Sequence, residues 1–462
     1  MVEISRNISL LSGGILLSLL VARFIILEDA NLRPTSFAAS KQELPLQFYI
    51  DQEKDESIGV ELSNDKPAAI DQNSFLESMA MFPWTDALAT LSNKNATLSS
   101  IQSLLDTLIT SLIQEPINPP VEACEIPLLM QAKNIDCSKY PTAFTKTMSR
   151  QTPVKVAHLV QLGFDADMLE LLLRELNDVV DKFFIIESTR THNKGIRKIL
   201  LWDHVKNQPR FEFVKEKVVH MVLDDTEAFL DSNEEFAIEK SQERTRWESF
   251  LRWNNHTQFF GPNDLVGFGD VDEIPSRENV QLLRHCELAG PSVDIGSWFA
   301  PTRLSEAFRP DWPVPGNRWT LGDPTYWTVA SATMFGQDGA QYPSRMRGTS
   351  GKFLLGGIHM TDNGYAPFRM AKLIACTECK DSAARLMTDM ATIFRDNQTK
   401  EETLARLDTY LNPVWPDRKR FVGGEEMIIR LGAAYYIPWF LQCNPERFSS
   451  WYGNLDSRLH GS

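Results

Sequence analysis

The chain has 462 residues, of which 43% are hydrophobic and 23% charged, and its formal net charge is −14. Those proportions suit a globular protein with a real core, and the length exceeds one typical domain. The acidic balance argues against a nucleic-acid partner, which needs a basic face. An anionic small substrate stays possible, because a bound divalent cation can reverse the local sign.

The first element is apolar. Ile8 to Ala22 is free of charge, Arg23 interrupts the run, and Phe24 to Leu27 extends it. A membrane span needs about 20 apolar residues, which Ile8–Leu27 supplies if Arg23 snorkels to the interface. Arg6 lies before the run while Glu28 and Asp29 follow it, an asymmetry that keeps the N-terminus in the cytosol. Residues 1–27 are therefore expected to be a cytosolic tail and signal-anchor helix. A cleaved signal peptide with Ile8–Ala22 as its apolar region is the alternative. Both readings send the remaining chain into the secretory pathway.

Sequons at Asn95-Ala96-Thr97, Asn255-His256-Thr257 and Asn397-Gln398-Thr399 agree with that route. So do six cysteines, at positions 124, 137, 286, 376, 379 and 443, an even number that suggests disulfides. Cys124 and Cys137 are the candidate local pair. Cys376-Thr377-Glu378-Cys379 has the spacing of half a zinc site, with no second Cys/His pair to complete it.

Residues 28–150 read as a stem. "DQEKDESIGVELSNDKPAAIDQNS" is a solvated acidic linker. "LSSIQSLLDTLITSLI" has helical spacing, which "QEPINPP" ends.

After Pro153 strands and helices alternate. "VKVAHLVQL" is strand-like. "DADMLELLLRELNDVV" places Met168, Leu169, Leu172, Leu173 and Leu176 on one helical face, with Asp165 as N-cap. "KFFIIES" is a buried strand ending on Glu187, and "KVVHMVLDD" is another. "EEFAIEKSQERTRWESFLRWN" is a long helix. "DLVGFGDVDEIP" is a strand flowing into an acidic cluster, and "SRENVQLLRHCE" is a helix that Ser276 can cap. This alternation predicts an α/β domain over 151–462, with a mostly parallel sheet covered by helices on both faces. Ligands of such sheets bind at the carboxyl ends of the strands, where Glu187 and Asp270–Glu273 stand. No Gly-rich phosphate loop occurs.

The acidic cluster carries the chemistry. Like charges this close repel unless a cation holds them. On an extended segment Asp270 and Asp272 point the same way, so both can face one ion. Hard oxygen ligands suit Mg²⁺ or Mn²⁺, which would bridge two phosphates of a nucleotide. A phosphatase of the haloacid dehalogenase type is the rival enzyme, but its D-x-D-x-T motif would need threonine where Ile274 stands. A non-catalytic lumenal glycan-binding protein is the second rival, with the Trp-rich stretch from Trp298 to Trp327 stacking on sugars.

"DVDEIPS" after an apolar strand resembles the signature of glycosyltransferase family 17, whose best-known members add the bisecting GlcNAc to N-glycans. "DMLELLLRELNDVVDKFFIIES" is similar to the family's opening block, with Thr191 following. Arg246 stands where the family has an arginine. "GGIHMTDNGY" resembles its G-x-H segment and "YIPWFLQCNPERFSSWYGN" its C-terminal block, so the likeness runs over residues 154 to 455.

The resemblance implies an inverting transferase with a GT-A-like nucleotide-sugar-binding fold. It would move N-acetylglucosamine from UDP-GlcNAc to a mannose of a glycoprotein N-glycan in β-1,4 linkage, using Mn²⁺ rather than Mg²⁺, as a type II protein of the Golgi membrane with its catalytic domain in the lumen. Carried over by position, Asp270 and Asp272 are metal and donor ligands, and His359 is the third metal ligand or a core histidine. Glu187 faces the nucleotide. Arg246 offsets diphosphate charge or makes a helix-surface ion pair. The catalytic base is Glu273, Asp294 or Asp362. The chain departs from the family at Leu172, where an arginine is usual, at "MTDNGY", and in "PDWPVPGNRWTLGDPTYW".

Overall fold

The computed structural model describes residues 99–113, 134–145, 149–192, 196–223 and 237–300, and beyond them shorter stretches, chiefly 325–329, 352–361, 371–372, 374–376 and 437–445. The apolar segment Ile8–Leu27 and the acidic linker lie outside the described residues. Among the described residues no helix is long and apolar enough to cross a membrane.

The strands are β1 (Val156–Gln161), β2 (Lys182–Ser188), β3 (Val218–Leu223), β4 (Leu265–Asp270), β5 (Glu273–Pro275), β6 (Ser292–Phe299), β7 (Arg309–Pro310), β8 (Thr325–Val329), β9 (Phe353–His359) and β10 (Phe421–Val422). Among the described residues the α-helices are α1 (Ser99–Leu112), α2 (Ala166–Leu176), α3 (Leu201–Val205), α4 (Ala237–Thr257), α5 (Arg277–His285) and α6 (Trp439–Cys443). Eight strands form one sheet in the order β3-β2-β1-β4-β8-β6-β9-β5, while β7 and β10 pair separately. β1 is parallel to β2 and β4, β2 to β3, and β6 to β9. β8 and β5 run antiparallel to their neighbours. The expected α/β architecture is present, as a mixed and mostly parallel sheet.

Both faces of the sheet are buried, as the uninterrupted apolar runs of its strands require. Val156, Val160, Phe183, Ile185 and Leu265 point to one face, where they meet Leu169, Leu172 and Leu176 of α2 and Val280 and Leu283 of α5. Ala157, Leu159, Phe184, Ile186, Val266 and Phe268 point to the other, against Trp247 and Phe250 of α4. Capping follows the sequence: Asp165 accepts from the Met168 N–H at 2.9 Å, and Ser276 from the Glu278 N–H at 3.3 Å. Leu172 is wholly buried.

Packing extends upstream of residue 150, into the region expected to be stem. Ile135, Cys137, Ala143 and Phe144 belong to the first core layer. Phe144 bridges to Leu288, and Cys137 is disulfide-bonded to Cys286 across 149 residues. The expected Cys124–Cys137 pair is therefore corrected: Cys137 is tied to the end of α5. Cys376 is also disulfide-bonded, which removes its thiolate as a zinc ligand. Helix α1 forms where the Leu and Ile spacing predicts it, burying Ile101, Leu105, Leu108 and Ile109.

One packing detail explains a glycine inside β4. Gly267 is in register with His158 of β1 on one side and Trp327 of β8 on the other. The Trp327 indole lies over Gly267 and stacks on the His158 ring, centroids 5.3 Å apart and planes 14° apart. A Cβ on Gly267 would stand 2.6 Å from the indole. Trp298 and Trp327 are both buried, so these two are core residues rather than sugar platforms. His158 is fully buried, and burial first, then the Arg246 charge, lower its pKa to about 3.

Gly267→Ala is expected to lose about 1–3 kcal/mol of stability through overpacking, measured by denaturant unfolding. Trimming Trp327 to Leu in the same chain should recover part of that loss, because the two changes share one contact.

Candidate functional site

The carboxyl ends of β1, β2, β4, β6 and β9 gather the polar residues. Gln161 closes β1 opposite Asp270, the last residue of β4. Val271 and Asp272 then form a turn, and β5 begins at Glu273 beside His359 at the end of β9. The alternation expected for an extended D-x-D is thus corrected, since the chain turns between the two aspartates.

Two residues between β4 and β5 have a large consequence. In strand order β5 lies four steps from β4, about 19 Å in a flat sheet at the usual strand spacing. Three Cα steps cover at most about 11 Å. The sheet must therefore curl its far end back over the acidic turn. The bend falls at Gly356 and Gly357, with φ of 148° and 105°. A Cβ on Gly357 would meet the Ile274 carbonyl oxygen at 2.5 Å, so only glycine lets β9 approach β5.

The curl brings Asp272 under residues from late in the chain. Its Oδ2 accepts from Lys372 Nζ at 2.7 Å and stands 3.7 Å from His359 Nε2. Its backbone carbonyl accepts from Met360 N at 2.8 Å. Burial would push the Asp272 carboxyl up, but Lys372 and His359 outweigh it and hold the group well below the usual carboxylate range. His359 is 6% exposed and meets Phe299 edge to face. Glu273, 1% exposed, accepts the Asp270 N–H on Oε2 at 3.0 Å and so braces the turn. Asp270 is the partly exposed carboxylate of the three.

Of the expected metal ligands, Asp272 and His359 come within 3.7 Å of each other. Among the described residues no group of three or more His, Cys, Asp or Glu side chains could hold a metal ion. The oxygen of Asp272 that would ligate one bonds an ammonium instead. Asp362, one of the carboxylates considered as base, lies outside the described residues. Asp294 of β6 is fully buried, and through Tyr326 of β8 it stands level with Phe268 of β4, two residues short of Asp270.

Glu187, expected to end β2, is its penultimate residue, and its carboxylate turns inward. Oε1 accepts from Leu201 N at 2.7 Å and Lys198 Nζ at 3.2 Å, and Oε2 accepts from Trp202 N at 2.9 Å and lies 3.1 Å from His220 Nε2. Burial raises its pKa, but Lys198 and His220 bring it below the ordinary value. Glu187 thus anchors the start of α3 and positions Lys198, rather than presenting oxygens to a ligand. Arg246 of α4 is 1% exposed, which excludes the helix-surface ion pair. It lies behind the acidic turn, with Nη1 3.4 Å from the Gly269 carbonyl.

Sequence reasoning did not single out Lys372, which stands 100 residues from Asp272 with no motif around it. It also missed a cluster beside Asp270. Gln161 Nε2 donates to Gln242 Oε1 at 2.7 Å, and His192 Nε2 lies within 3.1 Å of both side chains. Asp165 was visible only as a cap. Burial first, then the charges of Asp167 and Asp272, raise its pKa to about 7.

Comparison with known proteins bears out the resemblance seen in the sequence. The family model described as Glycosyltransferase family 17 matches residues 108–296. That stretch begins earlier than the likeness read from sequence motifs and ends before the G-x-H segment, so it contains Glu187, Arg246 and the acidic turn but not His359 or Lys372. The chain is 25% identical over 162 residues to the beta-1,4-mannosyl-glycoprotein 4-beta-N-acetylglucosaminyltransferases of Rattus norvegicus and Homo sapiens. The aligned stretch is 35% of this chain and 28% of each relative, so the chain spans less than a third of their length.

Glu187→Ala is expected to destabilise the protein by about 3–5 kcal/mol, because it strands a buried lysine and two backbone donors. Urea unfolding measures this. Unchanged stability together with lost nucleotide binding would instead place Glu187 at the ligand.

Proposed function

We propose that the chain, whose residues 108–296 match the model of glycosyltransferase family 17, transfers N-acetylglucosamine from UDP-GlcNAc to a mannose of a glycoprotein N-glycan, in β-1,4 linkage with inversion. One observation carries the reading. The acidic turn Asp270–Glu273 lies at the carboxyl edge of a mostly parallel sheet, inside the stretch that matches the family. Open α/β sheets bind nucleotides at that edge, and we read the fold as GT-A-like on this ground.

The reaction asks little covalent chemistry of the protein. The acceptor oxygen bonds to the anomeric carbon as the bond from that carbon to the β-phosphate oxygen breaks. The electron pair leaves with UDP, and the hydroxyl proton passes to a carboxylate. Inversion requires attack from the face opposite the leaving group. Among the described carboxylates of the acidic turn, Asp270 is the partly exposed one; Glu273 and Asp272 are buried and hold the turn and its cations. Asp270 therefore takes the proton in this reading, with Glu273 fixing its backbone. Arg246, behind the turn, contributes fixed positive charge to the region in which the diphosphate leaves.

The setting of the reaction belongs to the same proposal. Ile8–Leu27 anchors the chain in the Golgi membrane, with the catalytic part in the lumen. Supporting this, no cysteine is free among the described residues, as an oxidising compartment produces, and the sequon residue Asn255 is exposed at the end of α4.

The purified full-length chain should release UDP from UDP-GlcNAc when given N-glycan acceptors, with linkage analysis showing a new β-1,4-linked GlcNAc on mannose. Asp270→Asn is expected to lower turnover about 100-fold or more at an unchanged unfolding midpoint. Phosphate release from simple phosphomonoesters, without UDP release, would refute the reading.

A further inference from the structure

A nucleoside diphosphate that leaves with an electron pair needs positive charge beside it. The expected source was a divalent ion held by Asp270, Asp272 and His359, but those side chains do not form a metal-binding group among the described residues. A different cation stands there. Lys372 Nζ lies 2.7 Å from Asp272 Oδ2 and donates to Thr361 Oγ1 at 2.5 Å. Its side chain is 29% exposed, whereas that of Asp272 is 9% exposed.

That asymmetry has a physical meaning. Asp272 is the more buried member of the pair, and the ammonium bonded to it is the more exposed. A lysine ammonium is a compact charge with three donors and binds phosphate oxygens as such. Fixed in advance by a buried carboxylate and a hydroxyl, it needs little ordering when an anion arrives. Asp272 then serves as the counter-ion that places the lysine.

We propose that Lys372, in place of a divalent cation, meets the diphosphate of the donor, so that nucleotide binding is independent of metal. This rests on the donor assignment made above. When the bond between the anomeric carbon and the β-phosphate oxygen breaks, the electron pair stays on that oxygen and Lys372 donates a hydrogen bond to the phosphate. The ammonium keeps its proton, so the step consumes nothing beyond donor and acceptor.

Isothermal titration of UDP into the full-length protein, in EDTA and separately with Mn²⁺, tests this. Wild-type protein should bind UDP equally well in both buffers. Lys372→Ala should weaken binding in EDTA about tenfold or more, as expected for losing a charge-assisted hydrogen bond, while Lys372→Arg recovers part of it. Thermal melts of the three proteins separate loss of binding from loss of fold, and the wild-type comparison stands even if Lys372→Ala unfolds. Binding that needs Mn²⁺, or an unchanged affinity in folded Lys372→Ala, overturns the proposal and leaves the transferase reading intact. Failure of wild-type protein to bind UDP in either buffer overturns both.

Discussion

Three carboxylates within four residues, at the end of a strand buried on both faces, are sustainable only if positive charge and hydrogen-bond donors are brought to them. This constraint organises the molecule. Glu273 is accommodated by the backbone N–H of Asp270, Asp272 by Lys372 and His359, and Arg246 stands behind the turn. Supplying Lys372 and His359 from late in the chain requires the sheet to fold its far end over the turn. Gly356 and Gly357 make that possible by taking conformations that other residues resist.

The remaining ties hold the frame on which this turn sits. Asp167 and Glu170 of α2 bind Arg447 at 3.0 and 2.7 Å, and Glu175 accepts the Trp439 N–H, so the C-terminal segment is fastened across the first helix of the α/β domain. The Cys137–Cys286 bond pins an upstream segment to the end of α5, the helix that follows the acidic turn. Glu187 does similar work two strands away, joining β2 to α3 and Lys198. Several buried carboxylates at or near this edge are therefore positioning groups. Few are open to a ligand, and Asp270 is the open member of the acidic turn.

Much of the frame was legible in the sequence because it rests on local rules. Continuous apolar runs gave parallel strands, the Leu spacing of α2 gave its buried face, and Asp165 and Ser276 announced their helices as caps. The acidic turn was legible as a site because like charges gathered at a strand end repel one another until a partner compensates them. The interior of the site was less so. Alternation along a strand placed Asp270 and Asp272 on one side, but it cannot foresee that the chain turns at Val271. Glu187 looked like a ligand residue by its place at a strand end, while the donors that surround it converge from separate segments of the chain. Lys372 carried no signal, since nothing local distinguishes a lysine that will meet an aspartate 100 residues away.

The central claim is that the acidic turn and its cations receive the diphosphate of a nucleotide-sugar donor. A crystal structure of the protein with UDP bound tests it most directly. The account predicts diphosphate density at the carboxyl edge of β4, with a phosphate oxygen in hydrogen-bonding reach of Lys372 and Asp270 facing the vacant sugar position. UDP seated elsewhere, or Lys372 and Asp272 parted and turned away from the phosphates, would contradict it.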